Sequence, residues 1–110
     1  MSNPETILLQ EIRLALAEIP GTVLWRNPIG FDARAHVNYG VGHVGGSDLL
    51  GFSVRNGMAI FTAIEIKTKT GIVSDEQKRF IALVRRHGGL AGIARSAADA
   101  KDITDGLIRD

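Results

Sequence analysis

The sequence predicts a mixed α/β domain in which a small sheet is flanked by helices, in the order αβββαβα. Apolar residues recur at helical spacing in three segments, each of which follows a residue suited to cap a helix. Four β-prone runs lie among them, and an Asn-Gly pair joins two of these runs. Helical and strand patterns mixed along one short chain are typical of a sheet packed between helices.

The first helix and strand are indicated by their boundary residues. Asn3 suits the N-cap of a helix, and Pro4 suits its first position. Apolar residues on one side of this helix continue to Ile19, and Pro20-Gly21 ends it. Residues 22–26 follow as a short strand, in which Trp25 is interpreted as a core residue, the alternative being a base-stacking role.

Residues 27–46 are predicted to form a long loop. The segment contains five glycines and shows no sustained periodicity. Loops of this length in small domains are usually functional or mobile. His36 and His43 lie in this segment without metal-ligand spacing, so we interpret both as solvated loop residues, the alternative being contact with a nucleic-acid backbone or a role as a local base.

The next two strands, over residues 49–54 and 58–67, form a hairpin. The Asn56-Gly57 pair between them is the strongest short-range signal for a type I′ turn. Both faces of the second strand are mostly apolar, so this strand is expected to be central and covered on both sides.

The remaining elements follow from caps and glycines. Ser74 begins a capping box that Gln77 completes, and the helix continues to Gly88-Gly89. Residues 90–95 then form a short strand, and Ser96 caps a last helix that extends to about Leu107.

The composition limits the classes of protein to which the chain can belong. The 110 residues are 45% hydrophobic and 23% charged, and no repeat or linker divides them, so we expect one domain over 1–110. The absence of cysteine excludes disulfides and cysteine-bound zinc. No apolar run could span a bilayer, and the Met1–Pro4 start lacks the pattern of a signal peptide. We therefore expect a cytoplasmic protein that does not associate with membranes.

Charge is concentrated in the middle of the chain. The net charge is only +1, yet residues 26–95 hold ten Lys or Arg against five Asp or Glu. Such a distribution suits a face that binds a polyanion, although a solvated surface also explains it.

The hairpin brings charged groups together at its open end. In a two-residue turn, paired residue numbers sum to a constant, so Asp48 is expected opposite Glu65. Lys67 lies on the same face, two residues further on. When two carboxylates lie next to each other, one of them takes up a proton unless a cation lies between them, because their like charges repel.

Mg²⁺ is the cation that this pair suits, with Mn²⁺ expected to substitute, because hard divalent ions prefer carboxylate oxygens. Lys67 would then orient or deprotonate a water, or stabilise charge on a phosphate. The alternative is a structural ion pair between Glu65 and Lys67, with Asp48 capping a loop.

The surrounding residues resemble a known family. The resemblance lies in residues 45–51 (GGSDLLG), 65–68 (EIKT) and 71–74 (GIVS), followed by Gln77 and Phe80. This ordered set resembles the VRR-NUC family of the PD-(D/E)xK nuclease superfamily, in its stand-alone, phage-type form. The resemblance covers most of the chain and implies a restriction-endonuclease-like core and a protein of a bacterial host or phage-infected cell. Ser47 stands where the superfamily's name-giving proline would be, in a Gly-Ser-Asp form that looks normal for the family.

The resemblance also implies roles for individual residues. Asp48 and Glu65 would be metal carboxylates, with the Ile66 backbone carbonyl as a further ligand and Lys67 as the motif lysine. Gln77 would support the site or contact DNA, and Glu5 would join the metal shell. On a helical wheel Glu5 falls on the buried side of its helix, although a Glu in a first turn is also favoured by the helix dipole alone.

Other polar residues are candidates for supporting the site or binding DNA: Ser47, Arg26, Lys69, Lys78 and Arg79. Arg26 ends the first β-run and would reach a phosphate near the site, unless it is simply an exposed strand-end residue. The three others with cationic side chains flank the motif strand and the next helix, and suit non-specific phosphate contacts.

The resulting hypothesis is a metal-dependent endonuclease that cuts branched DNA, such as flaps or four-way (Holliday) junctions. The preference for branched DNA is implied by the family alone. A nicking endonuclease or an exonuclease on duplex or single-stranded DNA is the alternative within enzymes. A non-catalytic DNA-binding module of the same fold is the alternative outside them, followed by a metal-free structural domain. Cutting a four-way junction on two strands needs two active sites, so a homodimer is expected.

Overall fold

The structure is a computed structural model that describes residues 3–110. The expectation about a signal peptide depends in part on Met1 and Ser2, which lie outside the described residues. No helix in the described part of the chain has the length and apolar character needed to cross a membrane. The helices are α1 (Pro4–Ala17), α2 (Asp75–Arg86) and α3 (Ala97–Thr104), and the strands are β1 (Thr22–Arg26), β2 (Gly30–Asp32), β3 (Val37–Tyr39), β4 (Leu49–Arg55), β5 (Met58–Ile66) and β6 (Leu90–Ala94).

The predicted element order was incomplete. All seven predicted elements are present, but residues 27–46 also contain β2 and β3, which pair with each other in a separate antiparallel ribbon. The predicted order αβββαβα is therefore corrected to αβββββαβα. Each of these strands has only three residues, and all but Gly30 are exposed, so no alternation against a core marks them in the sequence.

Four strands form the main sheet, in the order β1-β4-β5-β6. β1, β4 and β5 are antiparallel neighbours, and β6 lies parallel to β5. The predicted hairpin register is confirmed from Arg55 opposite Met58 to Leu49 opposite Ile64. Asn56 and Gly57 both adopt positive φ angles, of 51° and 76°, as a type I′ turn requires.

Each face of the main sheet carries its own apolar core. Ile12 and Leu16 of α1 and Ile103 of α3 pack on one face, against Leu49 and Ile64. On the other face, the α2 residues Ile81 and Val84 pack against a second cluster: Leu50, Ala63, Ala91 and Ile93. Both clusters meet at the end of β5, where residues 62–66 are all buried.

The predicted coverage of β5 on both faces holds only for this second half. The strand begins near the turn with Met58 and Phe61 exposed. The interpretation of Trp25 as a core residue was wrong, since its side chain is 59% exposed. β1 is an edge strand, and Trp25 packs only edge-to-face against Phe52, with ring centroids 6.0 Å apart.

All three predicted helix caps are confirmed. The side chains of Asn3, Ser74 and Ser96 each accept a hydrogen bond from a backbone N–H in the first turn of the helix that follows. α1 and α3 are two to three residues shorter at their C-terminal ends than predicted, which is typical of fraying helix ends.

Candidate active site

Asp48 lies directly before β4, next to the last pair of the hairpin ladder, Leu49 opposite Ile64, and its carboxylate is close to that of Glu65. Its carboxylate oxygen Oδ2 accepts a hydrogen bond from the backbone N–H of Ile66, at 2.8 Å. Its backbone carbonyl accepts another from the N–H of Asn27, also at 2.8 Å. The end of β1 and the end of β5 therefore hold this residue from two sides.

Glu65 is the buried acid of the site. It lies near the end of β5 and is only 2% exposed. Burial and the nearby carboxylate of Asp48 raise its pKa from 4.5 to about 8, against a smaller lowering effect of Lys67. A proton is therefore retained on this carboxyl near neutral pH unless a cation replaces it.

The two oxygens of Glu65 have different surroundings. Oε2 accepts a hydrogen bond from the Gln77 side-chain amide at 3.0 Å and lies 3.6 Å from the ammonium of Lys67. Oε1 is buried and accepts no hydrogen bond from an N–H or hydroxyl group, and in the metal-free protein the proton of Glu65 is shared with Asp48. An unsatisfied buried carboxylate oxygen is costly, so it indicates a place for an ion or a water.

Gln77 connects the cap of α2 to this carboxylate. Its Oε1 accepts from the backbone N–H of Ser74 at 2.9 Å, which completes the predicted capping box. Because this contact fixes the amide, Nε2 points at Glu65. A single side chain thus sets both the start of α2 and the orientation of the buried acid.

The loop after β5 is held by a residue that sequence reasoning missed. The Arg95 guanidinium donates to the carbonyls of Thr68, Lys69 and Gly71, at 2.6, 3.3 and 2.9 Å. Lys67 begins this loop, just beyond the end of β5, and its N–H donates to the Ala94 carbonyl. Arg95 therefore fixes the segment from which Lys67 reaches Glu65.

Asn27 is a second residue of the site without an assigned role in the sequence. Its amide donates to the carbonyls of Val41 and Ser47, at 2.8 and 3.0 Å, and accepts from the N–H of Val41 at 2.9 Å. The backbone N–H of Asn27 also donates to the Asp48 carbonyl. Together, the backbone and side-chain contacts join the end of β1 to both ends of residues 41–48. The partners of this side chain lie 14 and 20 residues away in the chain, so no periodic pattern in the sequence marks these contacts.

Substitution of Asn27 by alanine is expected to lower stability by about 1 kcal/mol, since it leaves the part-buried Ser47 carbonyl without its partner, whereas the backbone groups of Val41 are exposed and can bond to water. Mg²⁺-dependent stabilisation should also fall more than in a control, because the side-chain bond to the carbonyl of Ser47, the residue before Asp48, is lost, although the backbone N–H at position 27 still donates to the Asp48 carbonyl. Asn38→Ala, an exposed position in β3, is the matched control. Thermal unfolding with and without Mg²⁺ tests this, and equal Mg²⁺ responses in both variants would show that Asn27 does not position Asp48.

An open cavity of about 640 Å³ lies over these carboxylates. Besides Asp48, Glu65 and Gln77, it is lined by Glu5 from the start of α1 and Arg26 from the end of β1. Both of these side chains are exposed, so the expectation that Glu5 lies on a buried helix side is wrong. The first turn of α1 extends beyond the core, which leaves Glu5 at the rim of the cavity.

The donor set fits a divalent cation. Two carboxylates meet in a partly buried place, and one of their oxygens is unpaired. Within residues 3–110, no three Asp, Glu, His or Cys side chains are close enough to form a metal-binding cluster. Glu5 therefore shares the cavity without joining the two carboxylates.

The other predicted site residues are more scattered. Ser47 is buried, and its hydroxyl has no partner, whereas its carbonyl binds Asn27. Lys69 is exposed on the loop after β5, and Arg79 is exposed and pairs with Glu76 at 3.6 Å. Lys78 lines a different cavity, beside the C-terminal residue Asp110.

Comparison with known families matches residues 5–98 to the VRR-NUC domain. The chain belongs to the VRR-NUC family. This is a PD-(D/E)xK-type nuclease family, so the chain has a nuclease-type function in DNA processing, in a family that generally uses divalent metals. No curated protein and no solved structure gave a match.

The match to the VRR-NUC family includes all the residues that line the cavity except Asn3. It begins at Glu5 in the first turn of α1 and includes both carboxylates, Lys67 and Gln77. It ends at residue 98, in the first turn of α3, beyond Arg95. The family assignment therefore rests on the part of the chain that carries the site.

Proposed function

We propose that this VRR-NUC chain is a metal-dependent, structure-selective endonuclease that hydrolyses phosphodiester bonds in branched DNA, such as flaps or four-way junctions. Residues 1–110 would act as one nuclease domain with a restriction-endonuclease-like PD-(D/E)xK core. The observation that carries the proposal is the buried pair of carboxylates, with one oxygen of Glu65 unpaired beside Asp48.

The proposed metal ligands are Asp48, Glu65 and the backbone carbonyl of Ile66. Glu5 would join them from the rim of the cavity when the ion is bound. Mg²⁺ is proposed as the ion, with Mn²⁺ able to replace it, because both prefer oxygen ligands. When bound, the ion would neutralise charge that develops on the scissile phosphate.

The chain's own groups have distinct tasks in this proposal. Lys67 holds its ammonium 3.6 Å from Glu65, where it would orient the attacking water or stabilise the phosphate; to deprotonate the water it would first have to give up a proton and act as the neutral amine. Gln77 keeps one Glu65 oxygen occupied, so that the other remains available to a ligand. Arg26 lines the cavity and would bind a neighbouring phosphate. In-line attack would leave a 5′-phosphate and a 3′-hydroxyl.

More distant cations would bind the DNA backbone without reading its sequence. Lys69, Lys78 and Arg79 are exposed on the loop and helix that follow the motif strand. Phosphate contacts of this kind position DNA and make its binding sensitive to salt.

A homodimer is part of the proposal, since two cuts in a four-way junction require two sites. A difference between the two edges of the main sheet supports a dimer. At β6, the N–H of Ile93 donates to the Arg109 carbonyl at 2.7 Å, so the C-terminal segment covers that edge. β1 forms the opposite edge and carries the exposed side chain of Trp25. Leu14, which is also exposed, lies nearby on α1. Sedimentation should give twice the chain mass of 11.8 kDa.

Cleavage of a labelled DNA panel tests the function. Duplex, single strand, 5′ flap and four-way junction are each incubated with Mg²⁺, Mn²⁺ or EDTA, beside the variant Lys67→Ala. We expect cutting of branched DNA that needs metal and falls by more than about 100-fold in the variant. Equal cutting of all substrates would favour a general nuclease, and binding without cutting would favour a DNA-binding module.

A further inference from the structure

The ribbon of β2 and β3 projects away from both cores of the VRR-NUC domain. None of its residues belongs to either apolar cluster, and residues 31–39 are all exposed. Phe31 is 57% exposed, and the side chains of Val37 and Tyr39 are similarly open. An isolated two-stranded ribbon with exposed apolar side chains is marginally stable in water. Its order therefore depends on other contacts.

Polar contacts fix both ends of this ribbon. At the tip, one carboxylate oxygen of Asp32 accepts from the N–H groups of Arg34 and Ala35, at 2.9 and 3.2 Å. At the base, the Asn27 amide binds both backbone groups of Val41. These contacts hold the ribbon as an arm, although no core covers it.

The arm begins at the active-site cavity. Ile29 and Tyr39, at its base, line the cavity that also contains Asp48 and Glu65. The Tyr39 ring lies against Gly30, where a Cβ would collide with it. A substrate whose scissile phosphate lies at the carboxylates therefore passes beside the arm.

The exposed chemistry of the arm is that of a nucleotide-binding surface. Phe31 and His36 form an edge-to-face pair, with ring centroids 6.5 Å apart. Arg34 lies between them in the chain, and the arm's acid, Asp32, uses one carboxylate oxygen in the tip turn. Aromatic faces stack on nucleic-acid bases, and guanidinium groups bind phosphates. The arm thus offers an exposed aromatic ring for a base and a guanidinium for a phosphate.

We propose that the β2–β3 arm binds an unpaired nucleotide next to the scissile phosphate, with its base stacked on the Phe31 ring, whose orientation the edge-on His36 ring supports, and Arg34 on the backbone. A paired base inside a duplex has both faces covered by its neighbours, so its face is available only where stacking is interrupted. Branch points and flaps supply such bases. The inference rests on the proposed nuclease function and gives its preference for branched DNA a physical origin.

Binding of two DNA probes tests the arm separately from cleavage. One probe is a 5′ flap with 2-aminopurine at the unpaired position nearest the branch, and the other is the fully paired duplex. Both are measured in EDTA with the parent chain, Phe31→Ala and Phe31→Trp. Leu107→Ala is the matched control, since Leu107 is 56% exposed and lies outside the cavity and the arm.

Phe31→Ala should weaken flap binding by about tenfold and leave duplex binding within about twofold, because base stacking is lost only on the flap. Binding of the parent chain is expected to quench the fluorescence of 2-aminopurine. This quenching should disappear in Phe31→Ala and return in Phe31→Trp. Equal weakening on both probes, or unchanged quenching, would overturn the arm proposal. So would a lower sedimentation mass of Phe31→Ala, which would assign the arm to contact with a second copy.

The two proposals fail differently. If the parent cuts the flap with Mg²⁺ and Lys67→Ala does not, while Phe31→Ala binds the flap like the parent, the nuclease function stands and the arm proposal falls. If the parent neither cuts DNA nor binds the flap more tightly than the duplex, both fall.

Discussion

Replacement of Glu65 by glutamine is expected to lower cleavage of branched DNA by more than about 100-fold. Even residues that only orient a metal ligand cost roughly 10- to 100-fold, and this change removes a ligand charge itself. Glutamine keeps the size of the side chain and still offers an oxygen to the Gln77 amide, so the fold should be retained. Asp48→Asn should have an effect of the same order, because the two carboxylates act on one ion.

The control for both variants is Glu76→Gln, an exposed acid on α2 that pairs only with Arg79. It should cut at the parent rate. Cleavage is measured on the preferred branched substrate with saturating Mg²⁺, together with the Mg²⁺-induced rise in unfolding temperature. Binding to the folded state must raise that temperature, so the rise should be lost in both site variants and kept in the control. Either site variant cutting at the parent rate would contradict the assignment.

The proximity of Asp48 and Glu65 could be predicted because the turn at Asn56-Gly57 fixes how β4 and β5 pair. The Asn-Gly pair fixes a two-residue turn, and the register then holds over seven residue pairs, up to Leu49 and Ile64. Asp48 is the next residue outward. Local chemistry also located the start of α2, since the capping box is contained within Ser74 and Gln77.

The supporting contacts could not be predicted in this way. Asn27 and Arg95 act through hydrogen bonds to backbone carbonyls that lie between 14 and 27 residues away in the sequence. A backbone carbonyl carries no residue identity, so no pattern in the sequence marks the partner. The β2–β3 arm was missed because its strands face solvent and lack the alternation that burial imposes.

Two expectations were wrong for a common physical reason. The helical wheel placed Glu5 on the buried side of α1, and the apolar run around Trp25 placed this residue in the core, although the strand itself is present. Both residues are nevertheless exposed. Periodicity gives the direction of a side chain but not the extent of the layer that covers it: Glu5 lies in the first turn of α1, and Trp25 lies in the edge strand β1.

The second large effect is a loss of stability with rising pH in the metal-free protein. Burial and Asp48 raise the pKa of Glu65 from 4.5 to about 8 in the folded chain. Below pH 4.5 both the folded and the unfolded chain carry this proton. Between the two values the unfolded chain releases it and the folded chain keeps it, so the free energy of unfolding falls as pH rises. The loss from this group is of the order of 5 kcal/mol and ends above about pH 8.

Glu65→Gln isolates this contribution, because the other titrating groups are common to both chains. In EDTA the variant should match the parent near pH 4.5 and exceed its stability at pH 8, as measured by urea unfolding at several pH values. Parallel curves for the two chains would mean that Glu65 ionises normally. Mg²⁺ should flatten the parent's curve, since an ion at the unpaired oxygen replaces the proton and stabilises the charged form. The proton and the ion therefore compete for the same carboxylate, and Mg²⁺ should bind more tightly as pH rises toward 8.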